Sequence, residues 1–342
     1  MDISLALPVH NGANYLREAL ESAVAQGEEL AEIVVADNCS TDGTASIIAE
    51  FAARDPRVRH ERSEKFLGQA DNVTRSVRLC RQGWVQLLCH DDLLLPGAIR
   101  ELSRVAASFA GTDCCLIAHR PAHLFSDGHV CLRAASGCAV TTLGEVLSAA
   151  VPSAPAVSLL PAPSALREAL ARGAMPYLPS LTTAAVRRDL FESSGGFDAR
   201  WVHFDVFHWL RMVQANSHAV AEANWTLTRV HGAQVAVHSR RSQRSYRDFR
   251  DFFREFVPEA VRRYSLSPWA AFKLRLKPAS QAAAPLVVAI RSRNFGIFCR
   301  ALTSLPPHVW PLALLFCAVN YFREARRNAV LWRQVPPELT YE

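Results

Sequence analysis

The sequence predicts an α/β fold built on a largely parallel sheet with helices on both faces. Three observations predict it. Through the first 110 residues, apolar runs of strand length alternate with helix-period segments at spacings of about 10 to 15 residues. Strands covered on both faces read as near-continuous apolar runs, as residues 3–9 and 84–88 do. Polar clusters follow these runs at Asn11, Asp37 and Asp91, where open sheets of this class hold ligands, so the three should converge on one cleft. With 342 residues, 50% of them hydrophobic, the chain is long enough for a full core and for two units.

Residues 3–9 make a first strand. Asn14 stands where it would cap a helix over residues 15–25, with Leu16, Ala19, Leu20 and Ala23 on one face. A second strand at 32–36 runs into the polar turn Asp37-Asn38-Cys39-Ser40-Thr41-Asp42-Gly43-Thr44, and residues 45–53 form a helix. Residues 58–60 are a short third strand, 68–79 a helix, 84–88 a fourth strand and 98–107 a helix. Residues 114–119 and 129–132 read as strands around the turn Ser126-Asp127-Gly128. Residues 152–163, rich in Pro, Ala and Ser, read as a loop, and 182–186 as another strand. A turn at Gly195-Gly196-Phe197-Asp198 precedes helical spacing over 203–213.

From residue 240 the pattern changes. Tyr246, Phe249, Phe253 and Phe256 recur at three or four, interleaved with Arg247, Arg250 and Arg254, as in a basic amphipathic helix. The apolar stretch 310–322 is too short for an ordinary membrane span and leads into Arg323, Arg326 and Arg327. Residues 240–342 hold 18 Lys/Arg against 7 Asp/Glu, a surplus of 11, so the rest of the +6 chain carries −5. Such a tail suits either an anionic bilayer surface or packing against the body or a sister subunit. Its aromatics follow a helical face rather than an exposed stacking platform, which argues against nucleic acid. Asp2 and the lack of a basic leader speak against a signal peptide. Nine Cys with no close CxxC pair, several in apolar runs, suit a reducing compartment.

Residues 84–92 end an apolar run in two adjacent carboxylates. Asp91 and Asp92 do little for packing there but can hold a hard divalent ion, which in turn can hold a phosphate. A solvated Asp-Asp turn is the plainer alternative. His90 lies beside them, and His231 could ligate metal or contact phosphate. Asp37, with Asn38 and Asp42, suits base or ribose contacts, although Asp42 serves equally as a cap. Asp205, among Trp201, Phe204, Phe207 and Trp209, suits a proton acceptor of raised pKa, or a helix N-terminal carboxylate. No Walker pattern and no dinucleotide glycine fingerprint follow the first strand, and the single glycine of the turn at residues 8–12 argues against a nicotinamide cofactor.

Together these segments resemble the family 2 glycosyltransferases, inverting enzymes of the GT-A fold, and in particular those of bacterial surface-polysaccharide synthesis. The opening, residues 7–22, looks like the family's first strand and helix. Residues 34–44 are similar to its second motif, and Gly68 with Asn72 to a third. The likeness is close over residues 3–110 and looser over 180–235. It implies a Rossmann-like, mostly parallel sheet with a C-terminal helical extension. It implies that Pro8, Val9, Asn11, Asp37, Asn38, Asp42, Gly68 and Asn72 help seat a nucleotide, with His90 and Asp91 at its diphosphate. It implies Mn2+ or Mg2+ at Asp91, Asp92 and His231. Asp91 closes the family's Asp-x-Asp motif, here Cys89-His90-Asp91. Asp205 matches the general base, with Phe204 where an acidic neighbour is usual.

The implied reaction is a single inverting displacement from a nucleotide-diphosphate sugar, a UDP-sugar by preference, to a hydroxyl of a glycan or lipid-linked acceptor. The expected division is 1–115 for nucleotide-sugar binding, 116–239 for acceptor and catalysis, and 240–342 as the basic helical extension. Residues 120–177 should line the acceptor site. The expected setting is cytoplasmic, at the inner membrane face, with peripheral membrane contact or self-association through residues 240–342. A nucleotidyltransferase and a non-catalytic scaffold of the same fold are the competing readings.

Overall fold

A computed structural model describes residues 1–134, 137–231 and 244–278, together with eight isolated positions between 299 and 318. The apolar stretch at 310–322 and its following arginines therefore lie mostly outside the described residues. The first half folds in the expected order. It runs β1 (Ile3–Val9), α1 (Leu16–Val24), β2 (Leu30–Asp37), α2 (Thr44–Arg54), β3 (Val58–Arg62), α3 (Gln69–Arg78), β4 (Trp84–Leu87), β5 (Leu93–Leu94) and α4 (Ala98–Ser108). Helix α1 buries the expected Leu16, Ala19, Leu20 and Ala23. Its N-cap is Tyr15, without a side-chain cap, not Asn14; the amides of Tyr15 and Leu16 bond the Gly12 carbonyl at 3.0 and 2.9 Å.

The middle is richer in strands than periodicity indicates. It comprises β6 (Leu116–His119), β7 (Ala122–Leu124), β8 (His129–Ala134), β9 (Gly137–Thr142), α5 (Leu143–Ser148), β10 (Val157–Leu160), α6 (Ser164–Ala171), β11 (Ala184–Arg187), α7 (Arg188–Ser193), α8 (Phe204–Met212), β12 (His218–Ala221) and β13 (Thr226–Arg229). The expected loop at 152–163 thus contains a strand. Residues 157–160 carry no apolar-polar alternation to mark it, because β10 is an edge strand held by pairing with β12. Two helices follow, α9 (Arg244–Tyr264) and α10 (Pro268–Arg275).

The expectation of one mostly parallel sheet needs correction, since two sheets form. The larger has eight strands in the order β10-β12-β6-β11-β4-β1-β2-β3, and the smaller five in the order β5-β13-β7-β8-β9. Strands β4, β1, β2 and β3 are parallel. Strand β11 inserts antiparallel between β4 and β6, and β10 pairs antiparallel with β12. The alternation rule holds only where each strand is followed by its own crossover helix, and β11 is reached instead after a long excursion.

Leu5, Leu7, Leu16, Leu20, Phe51 and Leu102 share the main core, which locks α1, α2 and α4 against the parallel strands. Leu93, Leu124, Val130 and Leu227 form a separate core beneath the smaller sheet.

The chain divides into two compact units. The first holds Met1–Ser164, Tyr177–Arg200 and Phe204–Arg229; the second holds Ala165–Pro176, Trp201–His203 and Val230–Glu342. Within the second, α9 buries Tyr246, Phe252, Phe253 and Phe256, and Trp201 meets Phe252 edge-on at 6.1 Å. The aromatic face of α9 is therefore covered. Among the described residues no helix is long and apolar enough to cross a membrane.

Candidate active site

The polar clusters at the strand ends adjoin, as their positions required. Register sets Val9 beside Asp37, and the Asn38 amide donates to the Val9 carbonyl at 2.8 Å. Strand β4 lies on the other side of β1, and the turn after it packs its His90 ring against Gly12. A Cβ at Gly12 would lie 2.6 Å from His90 Cδ2, so glycine is what lets these two loops touch.

Asp37 is fully buried and accepts from the Ser40 amide at 2.9 Å, Arg62 Nη1 at 2.6 Å and His60 Nε2 at 3.3 Å. Burial works against its charge, but these donors win and hold its carboxyl below the usual range. Asn38 clasps Leu67 through both side-chain atoms, at 2.9 and 2.8 Å, which brings the segment before α3 against the turn that follows β2. Asn11 has a positive φ of 51° and its Oδ1 accepts from the Thr41 amide at 2.8 Å. Asp42 Oδ2 accepts from the Ala13 amide at 3.1 Å, and its Oδ1 takes the Thr44 amide at 3.0 Å and the Thr44 hydroxyl at 2.5 Å. Asp42 thus ties the first two loops together just ahead of α2. Gly68 is the exposed N-cap of α3, and Asn72 in that helix donates to the Ala36 carbonyl at 3.0 Å, next to Asp37. Pro8 is only partly buried in β1, unlike its neighbours.

The turn after β4 concentrates negative charge. Ligand atoms of Cys89, Asp91 and Asp92 all lie within 4.8 Å of one another. Asp92 is almost wholly buried; Oδ1 accepts the Arg229 amide at 2.9 Å and Oδ2 accepts the Thr182 hydroxyl. Burial first, and then repulsion from Asp91, push Asp92 well above the usual carboxylate range. A divalent cation would relieve that repulsion, and a thiol with two carboxylates is a donor set such an ion accepts. Arg229 also donates from Nε to the Asp91 carbonyl at 3.0 Å and from Nη2 to Glu18 at 2.8 Å, bracing the turn against α1.

Asp205 is the second residue of α8. Burial raises its pKa to about 6, against amides of Val206, of Asp205 itself and of Leu181 that favour its charge. The packing behind it is aromatic, with Phe204, Phe207 and Trp209 buried and the Phe197 ring 5.1 Å from Phe204. The turn before α8 is held by α3. Gly195 and Gly196 have φ of +90° and +86°, Arg78 donates to the Gly195 carbonyl at 3.0 Å, and the Phe197 amide donates to Thr74 Oγ1 at 3.0 Å.

One residue links the main chain and side chains of the turn after β4. Thr182 gives its hydroxyl to Asp92 and accepts the Cys89 amide at 3.1 Å. Burial first, then the charges of Asp92 and Asp91 and, least, that of Asp205, push the Cys89 thiol well above its usual range. Nothing in the local pattern of residues 180–183 marks this link; its only advance signal is a position just before a strand. Arg229 and Arg62 were likewise not legible as site residues. His231 follows β13 by two residues and belongs to the second unit. Both ends of the segment 120–177 meet, with the Arg120 guanidinium 4.6 Å from the Tyr177 ring centre and the Tyr177 hydroxyl donating to the His119 carbonyl at 2.7 Å.

Residues 4–129 match the model of Glycosyl transferase family 2. Over 98 residues the chain is 37% identical to a chondroitin synthase of Escherichia coli, a match spanning 28% of this chain and 14% of that protein. Over 101 residues it is 32% identical to the succinoglycan biosynthesis protein ExoO of Rhizobium meliloti, spanning 30% and 28%. The chain thus spans less than a third of the length of these curated relatives. Among solved structures, S. aureus TarS 1-349 in complex with UDP-GlcNAc superposes with a TM-score of 0.56 at 15% identity, covering 96% of this chain and 92% of that one. The mannosyltransferase PcManGT of Pyrobaculum calidifontis, in complex with GDP-Man and Mn2+, gives 0.51 at 17% identity, covering 94% and 86%. At these identities the likeness establishes the shared fold.

Proposed function

We propose, from the match of residues 4–129 to the model of Glycosyl transferase family 2, that the protein transfers a sugar from a nucleotide-diphosphate donor to an acceptor hydroxyl with inversion. One observation carries this reading: the ligand atoms of Cys89, Asp91 and Asp92 gather within 4.8 Å of one another at the end of β4, where His90 packs against the Gly12 loop that follows β1. In this reading the fold is GT-A. Residues 1–115 bind the nucleotide sugar, 116–239 supply the acceptor side and the base, and 240–342 form the extension. Pro8, Val9, Asn11, Asp37, Asn38 and Asp42 shape the nucleotide end, and Gly68 and Asn72 hold α3 against it. A UDP-sugar is the favoured donor.

Asp91 and Asp92 would hold Mn2+ or Mg2+, which when bound offsets charge on the departing diphosphate. Arg229 keeps the Asp91-Asp92 turn in place. Asp205 takes the proton from the acceptor hydroxyl as that oxygen attacks the anomeric carbon. Its raised pKa makes it a stronger base than an ordinary aspartate while leaving it ionised at neutral pH. The acceptor is a glycan or lipid-linked glycan, met at the cytoplasmic face of a membrane.

Nucleotide release from a panel of UDP-, GDP- and TDP-sugars, in wild type and Asp91→Ala, tests this. Wild type should release nucleotide from one donor class, and D91A should lose that turnover together with manganese binding. A wild-type protein that binds nucleotide and ion but neither transfers nor hydrolyses any sugar would instead establish the scaffold reading.

A further inference from the structure

We propose that the Cys89 side chain is itself a ligand of the divalent ion, so that this chain carries a mixed thiolate-carboxylate centre preferring thiophilic ions. The inference rests on the glycosyltransferase reading of the same site. Cys89 stands where the resembled motif has its first Asp, and its surroundings differ from those of a packing cysteine. Cys80, Cys114 and Cys115 are buried in the body of the fold. Cys89 is instead a free, partly exposed thiol at a strand end, facing two carboxylates.

The backbone holds it there. The Cys89 amide donates to Thr182 Oγ1 at 3.1 Å, that hydroxyl donates to Asp92, and the Asp92 amide returns to the Cys89 carbonyl at 3.1 Å. This closed turn holds Sγ and one carboxylate oxygen from each aspartate within 4.8 Å of one another. With metal–sulfur bonds of about 2.3 Å and metal–oxygen bonds of about 2.1 Å, three donors on one ion lie roughly 3 to 4.4 Å apart. A small closure of the turn therefore suffices. On binding, the thiol gives its proton to solvent and sulfur donates to the ion. Thiolate favours Cd2+, Zn2+ and Co2+ over Mg2+, whereas carboxylates alone favour the hard ions.

Titrating the full chain with Co2+ and with Cd2+, while following thiolate-to-metal charge-transfer absorption, reads the sulfur bond without reference to turnover. Wild type should develop the band. Cys89→Ser and Cys89→Asp should lack it, and C89D should still bind ions but shift its preference toward Mg2+ and Mn2+. Circular dichroism and metal-free nucleotide binding check that both variants fold; if C89S does not, C89D alone decides. An equal band in C89S or C89D would assign it to other thiols and overturn the proposal. So would a missing band in a wild type that binds Mn2+ through Asp91, as judged by loss of that binding in Asp91→Asn. That result removes only the sulfur ligand. An Asp91→Asn protein that keeps both its ion and its turnover would instead remove the reading of the site on which the proposal rests.

Discussion

Asp205 shows how much one carboxylate depends on its setting. Burial lifts its pKa from the ordinary 3.8 to about 6. A base must be ionised to act, so the turnover rate should climb as pH rises through about 6 and level off above it, measured with saturating donor. Asp205→Asn should lower that rate by roughly 100- to 10,000-fold and abolish the acid limb in any residual activity. The stability consequence has the opposite sense. A folded-state pKa above the unfolded one means stability is greatest below about 3.8 and falls as pH rises through about 6. At pH 8 the charge is a cost to the fold, so D205N should melt no lower than wild type there; a clearly lower melting temperature would make Asp205 a structural anchor. The position of Asp205 at a helix start was legible from the Gly195-Gly196-Phe197-Asp198 turn and the aromatic spacing after it. The amide of Leu181 was not, because it arrives from another segment.

Helix α3 does two jobs at the scale of elements. Asn72 near its start clamps the end of β2, and Thr74 and Arg78 grip the turn that launches α8. A Cβ at Gly196 would sit 2.5 Å from Thr74 Cγ2, on a backbone at φ +86° that side chains rarely adopt. Gly196→Ala should therefore destabilise the protein by about 1–3 kcal/mol and reduce turnover more than donor affinity. Denaturant melts and steady-state kinetics measure both, and an unchanged turnover would show that the turn does not position α8. Helix α10 presents a different face. Trp269 and Phe272 are 63% and 48% exposed and stack at 5.5 Å, with Lys273 Nζ 5.3 Å from the indole. The periodicity after residue 240 pointed to α9 as the sticky helix, but tertiary packing covers that face and leaves α10 the exposed aromatics. If this face of α10 meets an anionic bilayer, replacing Trp269 and Phe272 by Ser cuts co-flotation with anionic vesicles on the order of tenfold or more, given about 1.5–3 kcal/mol per buried aromatic. Equal flotation of both proteins would move any membrane contact elsewhere.

Across the whole molecule, the site exists because β11 runs antiparallel between β4 and β6. That reversal brings Thr182 to the carboxyl end of β4, and β13, paired with β5, brings Arg229 to the same turn. Thr182→Val keeps the shape but leaves a buried Asp92 oxygen and the Cys89 amide without their partner. It should cost about 1–3 kcal/mol in a chemical melt and weaken Mn2+ binding, with Thr182→Ser restoring both; unaltered Mn2+ affinity would show that Thr182 does not order the ligands. Apolar periodicity determined the parallel half, its helices and the strand-end positions of Asp37 and Asp91, since each depends on residues a few positions apart. The joining of β13 to β5 and β7, the strand at Val157–Leu160 and the contact of Thr182 with Asp92 were decided only by the tertiary structure. They rest on pairings between residues about 60 to 130 positions apart, where reversing one strand changes every neighbour without altering any local pattern.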